Sequence, residues 1–265
     1  MTPCTTAPNI QRSYGNWTPR NASKARYGQQ VPLRWGLQQS NNWISAYLIS
    51  LLGPSQFVNI LHDFGLNNPD IEKNTSPVLC LGPSELSVGE MCSAYTTFVN
   101  HGVRCAPIFV TRIEDSHGNV VAKFQPLMNE VISEESSFKM LDMLQAVVQG
   151  GTGGRLRYHY NLTGDIGGKT GTTNNNSDGW FMGFTPQLVN GCWVGGEDRD
   201  IHFDSTSLGQ GATMALPIWA YYMQMVYADK SLNYSPNAKF DIPANFDPCK
   251  SAEAISINGI QEVYF

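Results

Sequence analysis

Gly167-Gly168-Lys169-Thr170-Gly171-Thr172-Thr173 is the stretch on which the reading of this chain turns. The lysine ammonium offers a point charge and three donors. The hydroxyls of Thr170 and Thr172 are suited to hydrogen-bond a carboxylate, and Gly171 between them lets a ligand backbone approach without meeting a Cβ. Together these residues make an anion-receiving strand edge. A phosphate-binding loop is the rival reading, because Gly168-Lys169-Thr170 also ends the pattern G-x-x-x-x-G-K-[ST]. That pattern needs glycine where Thr163 stands, and a helix after the lysine to hold the phosphates. The chain instead continues into Asn174-Asn175-Asn176-Ser177-Asp178-Gly179, which is turn composition. Trp180 to Pro186 and Leu188 to Gly195 then read as an antiparallel hairpin of aromatic and β-branched runs. The lysine therefore belongs to a strand beside two more strands.

Working outward, residues 1–31 are rich in Pro, Asn, Thr and Gln and read as extended or loop. Apolar residues then recur with helical spacing at Leu33, Leu37, Ile44, Tyr47, Leu48 and Leu51, ending at Gly53-Pro54. Further helices are expected over Val58–Phe64, Ser87–Gly102 and from Ser133 to Gly150, the last with Glu134 and Glu135 in its first turn. A β-hairpin is expected from Ile108–Glu114 and Val120–Phe124. Strands are expected across roughly 165–214, and a closing helix from Leu216 to Ala228 entered through Pro217. Helices, an antiparallel sheet and a closing helix give an α+β class rather than βαβ alternation.

Composition narrows the function. At 265 residues with 42% hydrophobic and 11% aromatic content, the chain has ample material for a core. A net charge of −5 argues against nucleic acid, which requires a basic face. No apolar run approaches a membrane span and no signal peptide opens the chain. The six cysteines form no C-x-x-C pair and the five histidines no H-E-x-x-H, so no metal and no cofactor is expected.

Lys169-Thr170-Gly171-Thr172, Asp178-Gly179-Trp180-Phe181-Met182-Gly183-Phe184-Thr185-Pro186 and Trp193-Val194-Gly195 resemble the transpeptidase domain of class A (bifunctional) penicillin-binding proteins. Gly151-Thr152-Gly153 resembles the family's GTG turn, and Asn16-Trp17-Thr18-Pro19-Arg20-Asn21 its W/Y-x-P-x-N loop. Gly209-Gln210-Gly211-Ala212 with the helix after it resembles the family's last Gly-rich strand and terminal helix. The likeness runs from about Trp17 to about Tyr234. It implies the penicillin-binding protein/β-lactamase-like fold, a mostly antiparallel sheet flanked by helices, with a partial transpeptidase domain over 1–230 and a tail over 231–265. It also implies an extracytoplasmic location, peptidoglycan stem peptides and β-lactams as ligands, and a glycosyltransferase domain and membrane anchor elsewhere in the full-length protein. In that location one disulfide, such as Cys80–Cys92 or Cys80–Cys105, becomes compatible with the chain. Sequence assigns no pairing, and structural thiols remain the simpler reading.

The family uses three motifs: S-x-x-K, S-x-N and K-T-G. Ser40-Asn41-Asn42 supplies S-x-N. Residues two apart do not share a helix face, so the helix has to break if Ser40 and Asn42 serve one site. The resemblance implies that it does, with Ser40 relaying protons and Asn42 holding the lysine side and the substrate amide. It likewise implies that Lys169 assists proton transfer, that Thr170, Gly171 and Thr172 receive the substrate carboxylate, and that the Thr172 N–H forms half of the oxyanion hole. Met1-Thr2-Pro3 resembles a family segment shortly after the S-x-x-K helix, so the nucleophile is expected upstream of this chain. Ser136-Ser137-Phe138-Lys139 fits S-x-x-K but falls between the other two motifs, on a helix with a solvated start, and reads as a decoy. The leading expectation is a D,D-transpeptidase domain fragment, inactive alone. The alternatives are a catalytically silent binding module and a stand-alone serine hydrolase (β-lactamase or carboxypeptidase) using Ser136.

Overall fold

The opening segment closes on itself. Strand β1 (Thr6–Pro8) pairs antiparallel with β2 (Gln30–Pro32), setting Ala7 opposite Val31, and both are buried against Leu33 and Ile44. The structure, a computed structural model, describes residues 1–73 and 76–250 and the backbone of two short strands at Ser256–Ile257 and Ile260–Gln261. The helical run after β2 is two helices, α1 (Leu33–Gln38) and α2 (Asn42–Leu52), and the break falls on Ser40. α3 (Pro54–Asp63) begins at Pro54 rather than at Val58. Proline lacks the N–H that a first helical turn leaves unpaired, and its fixed φ suits the position. α4 (Pro69–Glu72) and a 3₁₀ turn over Pro77–Leu81 fold back on these helices. Ile49, Val58, Leu66, Ile71, Leu79 and Ala94 form the core of this lobe.

α5 (Val88–Val99) starts from a capping box in which Ser87 and Glu90 satisfy each other's backbone N–H groups. β3 (Val103–Cys105) pairs with β6 (Met128–Glu130), and the hairpin of β4 (Arg112–Glu114) and β5 (Val120–Lys123) projects between them. Its ladder is shorter than the alternation suggested, and the flanking Phe109 is 94% exposed. α6 (Glu134–Gly150) is capped by Ser133 as expected and leads through Gly151-Thr152-Gly153 to the short α7 (Arg155–Tyr158).

β7 (Gly167–Thr172), β8 (Asp178–Thr185) and β9 (Leu188–Gly195) form an antiparallel sheet in that order, with β7 outermost. Side chains alternate along a strand, so Phe181 and Phe184 face opposite ways and each anchors one layer. Phe181 meets Leu216, Trp219, Ala220 and Met223 of α8 (Ala215–Ala228). Phe184 meets Leu141 and Leu144 of α6 with Tyr95 of α5. The sheet is thus sandwiched between helices, as an α+β class requires. A Cβ on Gly183 would stand 2.5 Å from the Trp219 indole, so this helix seats only over glycine.

Two sequence expectations change. Within 165–214 the strands stop at Gly195, and Gly209-Gln210-Gly211-Ala212 is a turn, not a strand. Two of its carbonyls turn back into the segment, that of Gln210 accepting from Thr213 and Met214 N–H and that of Gly211 from Leu216 N–H, which is the pattern of a turn leading into a helix. Cys80, Cys92 and Cys105 are free thiols, as the simpler reading had it, and among the described residues the bridge is Cys4–Cys249, a pairing the sequence did not single out, with Cα atoms 5.2 Å apart. Finally, residues 233–250 return across the core. Phe240 packs on Phe184, Lys239 pairs with Asp165 at 2.8 Å, and Phe246 packs on Phe138. The expected tail beyond residue 250 lies outside the described residues.

Candidate active site

Ser40 occupies the break between α1 and α2 with φ +53°. This left-handed conformation costs a non-glycine residue about 1–2 kcal/mol. It is held by a Schellman arrangement, Ser40 N–H donating to the Leu37 carbonyl and Asn41 N–H to that of Gly36. The position is the one where glycine usually stands, and it turns the Ser40 hydroxyl out of the helix. Asn41 then caps α2, its Oδ1 accepting from Trp43 N–H at 3.0 Å and Ile44 N–H at 3.1 Å.

Lys169 Nζ donates to Ser40 Oγ at 2.7 Å and to the Thr170 carbonyl at 2.7 Å. No ion pair reaches it among the described residues. Removal of its ammonium from water pushes its pKa down to about 8 from the usual 10.5, since burial disfavours the charged form. A lysine of that basicity exchanges protons near neutral pH, where an exposed one does not.

The two threonines, on the same face of β7, differ in exposure. Thr170 is 8% exposed and its hydroxyl meets that of Thr152 at 2.7 Å. Thr152 comes from the Gly151–Gly153 turn, which also touches the end of α1 through its own N–H to the Gln38 carbonyl. One turn therefore braces both the strand and the helix that bring Lys169 and Ser40 together. Thr172 is exposed, and its hydroxyl accepts from Gly211 N–H at 3.1 Å, which leaves the hydroxyl proton free to be donated. Gly211 is pressed against the sheet: a Cβ there would stand 2.3 Å from the Gly171 carbonyl oxygen. Thr173 N–H bonds the Asp178 carbonyl. Antiparallel pairs alternate, so the N–H groups of Thr170 and Thr172 fall on the open edge of β7. That edge offers an extended peptide a strand to pair with.

Asn42 is positioned differently from Ser40. Its side-chain amide donates to the Arg20 carbonyl at 2.7 Å, and its backbone N–H donates to Asn21 Oδ1 at 2.7 Å. It makes no hydrogen bond to Lys169 or Ser40 among the described residues. Asn21 Nδ2 is buried without a partner. Ser136 lies apart, exposed on the first turn of α6, its Oγ accepting from the Ser133 hydroxyl at 2.9 Å. The lysine of its motif, Lys139, is paired with Glu135 instead. Thr152, Asn9 and Asn41 were not singled out by sequence as parts of this site. Asn41 carried the one legible signal, an asparagine immediately before a helix. Among the described residues no group of three His, Cys, Asp or Glu side chains is placed to hold a metal.

Comparison with known proteins agrees with this geometry. The sequence matches the penicillin binding protein transpeptidase domain over residues 4–195. Penicillin-binding protein 1A of Aquifex aeolicus is 34% identical over 231 residues, covering 86% of this chain and 29% of that protein. Penicillin-binding protein 1A of Neisseria meningitidis is 32% identical, covering 81% of this chain and 26% of that protein. The chain thus spans less than a third of these relatives. The crystal structure of penicillin-binding protein 1A from Haemophilus influenzae superposes with a TM-score of 0.78 at 27% identity, over 92% of this chain and 41% of that one. PonA1 of Mycobacterium tuberculosis, at 21% identity and a TM-score of 0.76, shares the fold over 91% of this chain and 66% of its own. With its S-x-N turn and K-T-G strand in hydrogen-bond contact and the family matched over most of its length, this chain belongs to the penicillin-binding protein transpeptidase domain family.

Proposed function

We propose that this chain supplies the S-x-N and K-T-G portion of a peptidoglycan D,D-transpeptidase domain, working on stem peptides ending in D-Ala-D-Ala on the extracytoplasmic side of the membrane. The observation that carries the reading is the 2.7 Å hydrogen bond from Lys169 Nζ to Ser40 Oγ. The acylated serine belongs to an S-x-x-K segment outside residues 1–265, because Ser136 is bonded to Ser133 and has no free lysine beside it.

In this mechanism the nucleophilic serine attacks the penultimate D-Ala carbonyl and the peptide C–N bond breaks. The serine proton passes through Ser40 to the departing D-Ala amine. An acceptor amine then attacks the ester, the acyl C–O bond breaks, and a proton from that amine passes back through Ser40 to the serine oxygen. Lys169, with its lowered pKa, donates to Ser40 and fixes the direction of that relay. The Thr172 N–H on the open edge of β7 receives the developing oxyanion. The Thr172 hydroxyl and the Lys169 charge hold the terminal carboxylate, with Thr170 acting through Thr152 and Gly171 leaving room for the substrate backbone. Asn42 orders the loop that covers the amide side. A glycosyltransferase domain and a membrane anchor complete the full-length protein. The Cys4–Cys249 bridge supports the location, since disulfides persist in oxidising compartments.

Fluorescent penicillin tests this reading. The 265-residue chain is expected to remain unlabelled, and to be labelled once the upstream S-x-x-K segment is restored. A covalent adduct on the chain alone that disappears in Ser136→Ala, read by mass spectrometry, would overturn it.

A further inference from the structure

Ser40 is in a backbone conformation that a serine does not choose for itself, so something must hold it there. The residue immediately after it, Asn41, is 6% exposed and has both ends of its amide in use. Oδ1 caps α2, and Nδ2 donates to Asn9 Oδ1 at 2.8 Å. Asn9 is fully buried and lies between β1 and the loop that leads to β2. Its own Nδ2 donates to the Ala25 carbonyl at 2.9 Å and the Arg26 carbonyl at 2.8 Å, its N–H donates to the Gln29 carbonyl, and its carbonyl accepts from Gly28 N–H. Every polar atom of Asn9 is therefore paired. A buried amide network with all its members satisfied is rigid, and this one connects the 9–29 loop to the residue beside Ser40.

We propose that Asn9 and Asn41 are positioning residues for Ser40, a buried amide pair that fixes the turn between α1 and α2 so that the Ser40 hydroxyl stays on Lys169. The assignment rests on the reading of Ser40 and Lys169 as a proton relay. A helix cap alone does not account for it. Capping uses only Asn41 Oδ1, which serine or aspartate would supply equally well. The second half of the amide, reaching Asn9, adds nothing to the cap and everything to the placement of the turn. A further side-chain hold on the turn, Asn21 Oδ1 accepting from Asn42 N–H, comes from the same loop that Asn9 pins.

The test substitutes Asn41→Ser, which keeps a capping oxygen and removes the bond to Asn9, and Asn9→Ser, which removes the same bond from the other side. The readout is the titration of Lys169 in the 265-residue chain, followed by NMR of its side chain. In the unsubstituted chain Lys169 is expected to titrate near 8. With Ser40 released and water admitted to the ammonium, the midpoint should rise by about one pH unit or more in each variant. Wild-type titration of Lys169 in a folded Asn41→Ser chain overturns the proposal, even if its melting temperature falls, because a purely structural role would lower stability and leave the titration alone. Should Asn9→Ser fail to fold, Asn41→Ser decides. A parallel titration of the unsubstituted chain with N-acetyl-D-Ala-D-Ala keeps the two readings apart. Absence of shifts at Gly171 and Thr172 counts against the transpeptidase reading, whereas the Lys169 midpoint in the variants judges the positioning role.

Discussion

Lys169 donates to Ser40 at 2.7 Å although 129 residues separate them in the chain. The contact exists because two unrelated local rules converge on it. Strand alternation on β7 points the lysine off the sheet, and a helix C-terminus in the left-handed conformation points the serine out of α1. The Gly151–Gly153 turn touches both elements and sets the distance between them. A partly buried lysine with no carboxylate partner among the described residues is a poor choice for stability and a good one for proton transfer.

That conflict has a measurable sign. The folded-state pKa of Lys169 is depressed to about 8 from 10.5, so the unfolded chain holds the extra proton between those values. Its contribution to stability is therefore most favourable above the unfolded value and is lost as pH falls towards 8. Lys169→Met should stabilise the chain at pH 7 by roughly 1–2 kcal/mol, and the gain should vanish above about pH 10.5. Denaturant melts of both proteins across that range measure it, and a lower midpoint for Lys169→Met at pH 7 would contradict the assigned burial.

Ser40 offers a second test of the same conflict. At φ +53° glycine carries no Cβ penalty. Ser40→Gly should therefore raise stability by roughly 0.5–1 kcal/mol, with Ser40→Ala at or below the parent. Both should block transpeptidation in the full-length protein. A Ser40→Gly chain that melts below Ser40→Ala would show the turn to be unstrained.

How far the sequence discloses this arrangement depends on how local each cause is. The K-T-G strand and the hairpin after it are legible because turn residues and apolar period lie within a few positions of the feature they set, whereas the break at S-x-N comes only from the family resemblance, the apolar period running on through it. The Ser133 cap and the decoy character of Ser136 are legible for the same reason. Others depend on partners far away in sequence. Nothing near Asn9 announces that it meets Asn41, and nothing near Cys4 selects Cys249 over the free Cys80, Cys92 or Cys105. The Gly209–Ala212 segment shows a third kind of failure. It resembles the family's last Gly-rich strand; its backbone does press closely on the sheet at Gly211, but as a turn.

The Cys4–Cys249 bridge closes a loop spanning 245 positions and ties down the 233–250 segment that covers Phe184. Long loops lose the most unfolded-state entropy on closure, so reduction should cost about 2–4 kcal/mol. Thermal melts with and without reductant, alongside a Cys4→Ser/Cys249→Ser double variant insensitive to reductant, measure the effect. Equal melting temperatures for oxidised and reduced protein would mean that the 233–250 segment holds by packing alone.

Gly211 gives the sharpest single-site prediction. Its N–H donates to Thr172 Oγ1 at 3.1 Å, and a Cβ on it would stand 2.3 Å from the Gly171 oxygen and 2.4 Å from that of Trp180. Both obstacles are backbone of the sheet, so neither can rotate aside as a side chain would. Gly211→Ala must push the whole 208–214 turn away from β7, which removes the acceptor's partner at Thr172 and opens the mouth of the carboxylate site. The expected stability loss is about 1–3 kcal/mol, the range for forced overpacking. Affinity for a D-Ala-D-Ala carboxylate should fall further than stability alone explains, because the Thr172 hydroxyl loses the bond that orients it. The comparison is Gly209→Ala in the same turn, where a Cβ would meet the Cβ atoms of Asn176 and Phe203 at 2.4 and 2.7 Å, just as unable to rotate aside, and the Asn176 carbonyl oxygen at 3.1 Å, none of which belongs to β7. Gly211→Ala should therefore lose binding of N-acetyl-D-Ala-D-Ala while Gly209→Ala retains it, with chemical shifts at Gly171 and Thr172 as the readout. Equal loss in the two variants would mean that the turn as a whole, and not its contact with Thr172, shapes the site.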